Sequence, residues 1–328
     1  ASLCLKYKED EVHAVYAVNQ KDSTPLFYEL YDGSVIDNTE LEIMLEEAKE
    51  FGHERLGVLM DRGYISEKNI KALRSKGYEY ILMMKQNQKI CQEIIEEYGA
   101  AVQSLEGYYI GEHGVYGTTV KKQLYGQETN IHVYYDDIRA SEEKVALMSR
   151  YETWEKEIEK KVAKKIATEG EMKKYRKVFK LKYDQNGYLV AYQRNSRYIK
   201  EEIRNLGFFF IITSEDMSAS KALDIYRGRD NIEKMFRSLK SGIDFNKARV
   251  HTTESLKSKV FVTFIAMIIR NELFQKAEVL RKKNRKAYTV PGMISELENI
   301  ECTRNSVGKY RRKYALTAKQ KMILKQFD

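Results

Sequence analysis

The chain has 328 residues and a formal net charge of +9, with 57 Lys and Arg residues against 48 Asp and Glu residues. This cationic excess favours a polyanionic partner such as nucleic acid. Three distant cysteines outside any CxxC arrangement argue against a disulfide framework or a thiolate zinc site, and no apolar run is long enough to span a bilayer, so a cytoplasmic protein without a membrane partner is expected.

The first 50 residues predict a hairpin followed by a helix. A strand-like segment comes directly after Ala1, and the β-branched and aromatic runs Val12–Val18 and Pro25–Leu30 are separated by turn residues. This pattern predicts an antiparallel hairpin. Asp37 then precedes an amphipathic run and is most simply a helix N-cap rather than a catalytic residue.

The next segment predicts a buried strand that ends in a carboxylate. Residues 55–60 form a short apolar run, and Asp61 follows it directly, with Gly63 permitting a turn. A helix from Ser66 to about Lys76 and a strand over Tyr78–Met84 come next, so the alternation predicts an α/β sheet. Ligand chemistry in such sheets lies at the carboxyl ends of strands, but a simple turn aspartate is an equal alternative for Asp61.

Between about residues 89 and 206 the composition changes, which suggests an insertion. Tyrosine-rich segments at 107–120 and 129–135 predict short strands, and the charged stretch from Ser141 to Lys177 predicts a helix with a basic surface. Interleaved tyrosine and lysine can contact nucleic acid, although a solvated helix explains the charges equally well. Trp154, the only tryptophan, is assigned to packing rather than to stacking on DNA.

The last third predicts one buried strand, one long helix and a basic tail. Gly207–Ser214 is apolar almost throughout and predicts a strand buried on both faces. Residues from about Thr253 to Ala277 predict a helix packed on the sheet. The composition of the tail from Lys282 to Asp328 is basic and favours helices. The tail includes the cationic patch Lys309–Tyr314, which either contacts DNA or is simply solvated.

The segment from Tyr226 to Lys240 has the most informative spacing. On a helix, Tyr226, Arg229, Glu233 and Lys240 share one face, and the apolar residues Ile225, Ile232, Phe236 and Leu239 occupy the other. This face places one carboxylate between two cations and a phenol. The carboxylate could bind a metal ion, and the cations could bind a phosphodiester. A solvated face with intrahelical ion pairs is the alternative.

These motifs resemble the DDE transposases of the bacterial insertion-sequence group with the YREK signature. Tyr226, Arg229, Glu233 and Lys240 fit each interval of that signature, and Asp61–Arg62–Gly63–Tyr64 fits the second acidic motif of the group. Leu30–Asp37 is also similar to a family segment, and the similarity covers roughly residues 5–90 and 205–275.

The resemblance implies an RNase H-like fold: a mixed α/β sheet flanked by helices and interrupted by a mainly β insertion with a charged helical segment. The expected divisions are a first catalytic part over 1–90, an insertion over 91–206, a second catalytic part over 207–280 and a basic tail over 281–328.

The resemblance also implies the chemistry. Asp61 and Glu233 would be catalytic and would hold two Mg²⁺ or Mn²⁺ ions for in-line phosphoryl transfer, while Tyr226, Arg229 and Lys240 would bind DNA. The expected partners are double-stranded DNA of transposon ends and target, with a possible homodimer in a synaptic complex. A nucleoid-associated location follows from that activity.

One departure from the family concerns its first catalytic aspartate, which lies on a strand upstream of the hairpin. Asp10 is a poor substitute because it belongs to Lys8–Glu11, a loop-like approach to the hairpin. The expectation is a truncated transposase with impaired catalysis. The alternatives are a non-catalytic DNA-binding remnant and an RNase H-like nuclease without strand transfer, and flanking inverted repeats would argue against the latter.

Overall fold

The structure is a computed structural model that describes residues 2–9, 12–19, 24–32, 37–50, 52, 57–60, 63, 65–104, 106–164, 170–229, 252–281 and 288–327. The chain divides into two compact units. The first contains Ala1–Met60, Ser75–Tyr78 and Ile225–Asp328, and the second contains Asp61–Arg74 and Glu79–Asp224. Within the described ranges, no helix has the length and apolar character needed to cross a membrane.

The secondary structure mixes strands and helices throughout, as expected of an α/β chain. The strands are β1 (Ser2–Glu9), β2 (Val12–Val18), β3 (Pro25–Asp32), β4 (Gly57–Met60), β5 (Glu79–Met83), β6 (Tyr109–Ile110), β7 (Val115–Leu124), β8 (Gln127–Tyr135), β9 (Phe179–Tyr183), β10 (Leu189–Arg194), β11 (Phe208–Thr213), β12 (Cys302–Arg304) and β13 (Tyr310–Arg312). The helices are α1 (Asp37–Glu50), α2 (Glu67–Ser75), α3 (Lys89–Ser104), α4 (Asp137–Lys164), α5 (Ser196–Asn205), α6 (Ala219–Arg227), α7 (Thr253–Arg281), α8 (Val290–Glu298) and α9 (Ala318–Leu324).

The first unit contains an antiparallel sheet in the order β1–β2–β3, and β4 lies against β1. The hairpin predicted from the sequence is therefore confirmed, since Tyr16 faces Tyr28 across β2 and β3. The strand-like segment after Ala1 is also confirmed. It extends to Glu9, so the loop-like interpretation of Lys8 and Glu9 is wrong, while Asp10 lies outside the described residues.

Two helices of the first unit cover its apolar positions. α1 buries Leu41, Met44, Leu45 and Ala48, the i, i+3, i+4, i+7 pattern of a helix face against a core. The long helix α7, predicted from the sequence, packs on β3. There the rings of Tyr28 and Phe264 lie 5.1 Å apart, and the Asn271 amide donates a hydrogen bond of 3.3 Å to Thr24 Oγ1.

The second unit is built on antiparallel strands in the order β5–β11–β8–β7–β6. Every residue of β11 is buried, which confirms the prediction of a strand enclosed on both faces. Ile211 lies opposite both Met83 and His132, so β11 pairs along both of its edges. The tyrosine-rich strands β7 and β8 are confirmed as strands, and they extend the sheet that contains β11.

A separate aromatic cluster joins α4, β9, β10 and α5. Trp154 is half-buried between Tyr151 and Tyr175, with ring centroids 5.8 and 5.6 Å away, so the packing role predicted for it is confirmed. The helix predicted from Ser141 to Lys177 is wrong in its second part. α4 ends at Lys164, a 3-10 turn covers Lys173–Tyr175, and β9 follows.

The C-terminal residues are only partly helical. α8 and α9 pack with the end of α7 around a small core, formed by Ala277, Leu280, Tyr288, Val290, Met293 and Ile323. Between these two helices the cationic patch forms the hairpin β12–β13. The helical interpretation of the tail is therefore wrong at this patch, because an Asn305–Gly308 turn reverses the chain.

Candidate functional site

The described part of the signature segment lies at the end of α6. Tyr226 is only 5 % exposed and continues the buried stripe of Ala219, Ala222 and Leu223. The Arg229 guanidinium carbon lies 4.9 Å from the centre of the Tyr226 ring. Such a cation–π contact contributes about 0.5–2 kcal/mol and fixes the direction of the guanidinium. These two residues are thus together, as the three-residue spacing predicts.

The environment of Tyr226 differs from a solvated polar face. Ile225, which the sequence places on the apolar face, is half-buried, whereas the tyrosine ring is almost fully buried. The helix therefore uses the aromatic body of Tyr226 for packing, and the charged partner Arg229 covers the ring. A role for Tyr226 in orienting Arg229 is compatible with this packing.

Two contacts within the second unit hold α6 in place. The buried Tyr134 hydroxyl donates a hydrogen bond of 2.7 Å to the carbonyl of Ala219. Asp224 lies 2.5 Å from Nε2 of His113, a residue in the turn between β6 and β7. The sequence contains no local signal for this His–Asp pair, because the two residues lie 111 positions apart.

The remaining predicted site residues lie outside the described residues. Asp61 directly follows β4, whose Val58, Leu59 and Met60 are at most 2 % exposed, so the predicted buried strand before it is confirmed. Glu233 and Lys240 fall in 230–251, which is also outside the description. Among the described residues, no three His, Cys, Asp or Glu side chains are grouped closely enough to hold a metal ion. Neither predicted ligand, Asp61 or Glu233, is among those described residues.

A basic face on α4 is the second feature suited to nucleic acid. Lys156, Lys160 and Lys164 are exposed and repeat every four residues, so they share one side of the helix. This confirms the exposure of part of the predicted basic surface.

Three glutamates of the same helix serve internal contacts. Glu155 binds Arg194, and Glu159 accepts a 2.9 Å hydrogen bond from Tyr192. Hydrogen bonds from Tyr175 and Lys174 to Glu157 lower the pKa of that carboxyl. The acids therefore tie α4 to its own subdomain, while the three lysines face solvent.

Comparison with known families finds a match over most of the chain. The sequence model described as "Transposase DDE domain" matches residues 6–269, which include Asp61, Tyr226, Arg229, Glu233 and Lys240. A comparison with curated proteins gives no match. Residues 270–328, with α8, α9 and the β12–β13 hairpin, lie beyond the family match.

Proposed function

The chain belongs to the Transposase DDE domain family, and from this premise we propose that it is an insertion-sequence transposase that cuts and joins DNA phosphodiesters. The family membership itself gives the α/β fold of RNase H-like type and the general transposase class. The finer proposals are membership of the YREK group and a two-metal in-line mechanism at Asp61 and Glu233.

The donor chemistry of the two acids fits a divalent cation. Carboxylate oxygens are the hard ligands that Mg²⁺ and Mn²⁺ accept, and residue 61 comes immediately after a buried strand that ties down the backbone before it. When bound, two such ions supply activation of the attacking oxygen and stabilisation of the leaving oxygen. Asp61 and Glu233 would hold them, and we assign no other residue of the chain to the third acidic position.

The cationic residues of the signature would position the DNA. Arg229 can bind a phosphate through two donors, and the contact with Tyr226 restricts its orientation. Lys240 would act as a point charge on the backbone, and the lysine face of α4 would add sequence-independent affinity. Residues 91–206 would then be an insertion between two catalytic parts, as the family pattern implies.

The observation that carries the proposal is the family match over 6–269 together with the strand arrangement of the first unit. β3, β2 and β1 lie side by side, β4 lies against β1, and β4 ends at the residue before Asp61. An acid at the carboxyl end of a buried strand is where α/β sheets place ligand chemistry. The wider assembly would be a homodimer that joins two DNA ends on the nucleoid.

The test replaces the two acids and measures metal binding and cleavage separately. Asp61→Asn and Glu233→Gln should each weaken Mn²⁺ binding at least about 10-fold, because a ligand oxygen loses its charge. Glu272→Gln is the control, since Glu272 is an exposed glutamate paired with Lys276 on α7. Each acid variant should also abolish any metal-dependent cleavage of duplexes that carry the flanking inverted repeats, while DNA binding persists. Unchanged Mn²⁺ binding in both acid variants would reject the assignment.

A further inference from the structure

The segment beyond the family match presents a β-hairpin that is exposed on all sides. Every residue of β12 and β13 is exposed, including Tyr310 at 70 %, and Val307 in the turn is 79 % exposed. The flanking helices α8 and α9 are anchored in the small core with α7. After the hairpin, α9 begins with a capping box between Thr317 and Gln320. Packing in a core therefore does not explain the side chains of this hairpin.

The hairpin is held in one conformation by its turn. Asn305 Oδ1 accepts hydrogen bonds from the backbone N–H groups of Val307 (3.2 Å) and Lys309 (2.8 Å). Gly308 has a φ of +82°, a left-handed conformation that favours glycine. At the open end, Lys313 N–H donates to the Glu301 carbonyl at 2.9 Å. The short ladder is therefore closed at both ends, which fixes its register and the face on which each residue lies.

The strand register gathers arginine and tyrosine on one face. Arg304 lies opposite Tyr310 and Cys302 lies opposite Arg312, so these four side chains share a face, while Arg311 is on the other. The Arg304 guanidinium is 5.9 Å from the Tyr310 ring centre, and it also reaches over Gly308. Its position on the hairpin is thus set by contacts within the hairpin.

The charge of this hairpin is largely uncompensated by acids. Lys313 is paired with Glu301 at 2.8 Å. In contrast, Arg304, Arg311 and Arg312 form no ion pair with any carboxylate of the described residues. Three exposed guanidiniums beside an exposed tyrosine are suited to phosphate oxygens, which accept bidentate hydrogen bonds from arginine.

We propose that the β12–β13 hairpin is a further DNA-binding site, separate from the residues of the signature and from the lysine face of α4. A two-stranded ribbon fits the major groove of duplex DNA, and arginines on its two faces can reach the phosphates on either side of the groove. The site binds double-stranded DNA through its backbone and needs neither Asp61 nor Glu233. Tyr310 adds an aromatic contact and lies beside the Arg304 guanidinium on the same face of the hairpin.

The first experiment removes the three arginines and follows DNA binding with salt. Arg304→Gln, Arg311→Gln and Arg312→Gln are combined, and affinity for a fluorescent duplex is measured by anisotropy between about 50 and 200 mM salt. The binding constant K falls as salt rises, and each lost phosphate contact makes the slope of log K against log salt less steep by about 0.9. The magnitude of the slope should therefore decrease by about 2 to 3 in this variant.

A matched control removes the same charge elsewhere. Lys71, Lys89 and Arg197 are exposed helix residues paired with Glu67, Glu93 and Glu201, and their combined change to Gln also lowers the net charge by three. The control should keep the wild-type slope. An equal fall in both variants would attribute the effect to net charge and overturn the proposal, as would a hairpin variant with the wild-type slope.

A second measurement locates the DNA directly. Cys302 is exposed on the Arg304 face, whereas Cys91 is buried, and burial raises the pKa of the Cys91 thiol to about 12. After Cys4→Ser, a photoactivatable group attached to Cys302 should cross-link to the duplex. Absence of the cross-link, or preferential cross-linking to an RNA duplex, would overturn the assignment. Glu233→Gln should leave the cross-link intact, so failure of the catalytic proposal and failure of this one are distinguishable.

Discussion

At the scale of single residues, His132 shows how a titratable group is built into the core. The side chain is fully buried between two threonines on neighbouring strands. Thr213 donates its hydroxyl to the Glu215 carbonyl, so it accepts a hydrogen bond from Nε2–H at 2.9 Å. Nδ1 then accepts from the Thr119 hydroxyl at 2.8 Å, which fixes the neutral tautomer. Burial lowers the pKa of His132 to about 4, with a small opposing effect from Asp216.

This environment gives a prediction for stability in acid. Above pH 6.5 His132 is neutral in both the folded and the unfolded chain, so it causes no pH dependence. As the pH falls from 6.5 to about 4, only the unfolded chain gains the proton, and the free energy of unfolding should drop by about 3 kcal/mol in total. Chemical denaturation at several pH values measures this fall. His132→Gln should remove that part of the slope, and an unchanged slope would place the titrating group elsewhere.

At the scale of elements, Gly207 is the residue that allows β11 to follow α5. Its φ is +79°, and a Cβ atom there would lie 2.5 Å from the Ala140 Cβ and 2.8 Å from the Asp136 carbonyl oxygen. Its N–H donates to Glu143 Oε2 at 2.9 Å, and its carbonyl accepts from the Asp136 N–H at 3.0 Å. The start of the buried strand and the start of α4 are thus in close contact.

A pair of glycine substitutions separates crowding from backbone strain. Gly207→Ala should lower the free energy of unfolding by about 2–4 kcal/mol, because left-handed strain adds to an unavoidable overlap. Gly187→Ala should cost only about 1 kcal/mol, since φ is +80° but no atom lies within 4 Å of the added Cβ. Urea denaturation of both variants provides the comparison. Equal losses would mean that α4 moves aside without cost.

Several elements were predictable because their pattern is local. The hairpin β2–β3, the strand β11 and the helix α7 each follow from the spacing of apolar residues within one segment. The hairpin β12–β13 is not among the predicted elements, although Asn305 and Gly308 between two short runs are a signal for a turn. The basic composition of the surrounding tail favoured a helical interpretation, and a strand of three residues is too short to show alternation.

At the scale of the whole molecule, charge is the property that favours DNA as partner. The chain has a net charge of +9, and two described surfaces carry groups of exposed cations. These are the lysine face of α4 in the second unit and the arginine hairpin β12–β13 in the first. Several acids near these surfaces are engaged in other contacts, namely Glu155, Glu157 and Glu159 on α4 and Glu301 beside the hairpin. Exposed cations of this kind release counterions from DNA when they bind phosphates.

The lysine face has its own test in the complete chain. We expect the combined change of Lys156, Lys160 and Lys164 to Gln to make duplex binding less sensitive to salt. The magnitude of the slope of log K against log salt should decrease by about 2 to 3, because up to three phosphate contacts are lost. Anisotropy titrations measure the slope, with the Lys71, Lys89 and Arg197 variant as the charge-matched control. If the lysine variant and wild type have the same slope, the α4 face is merely solvated.

The sequence by itself predicted the α/β class and the buried strand before Asp61, and it carries the family match over residues 6–269. The class and the strand follow from the spacing of apolar residues within short segments. Only the tertiary structure decided that Tyr226 is buried, that Asp224 meets His113, and that β7 and β8 join the sheet of β11. These features depend on pairings between residues far apart in the chain. Their free energy comes from burial and hydrogen bonding across the fold, which no local periodicity encodes.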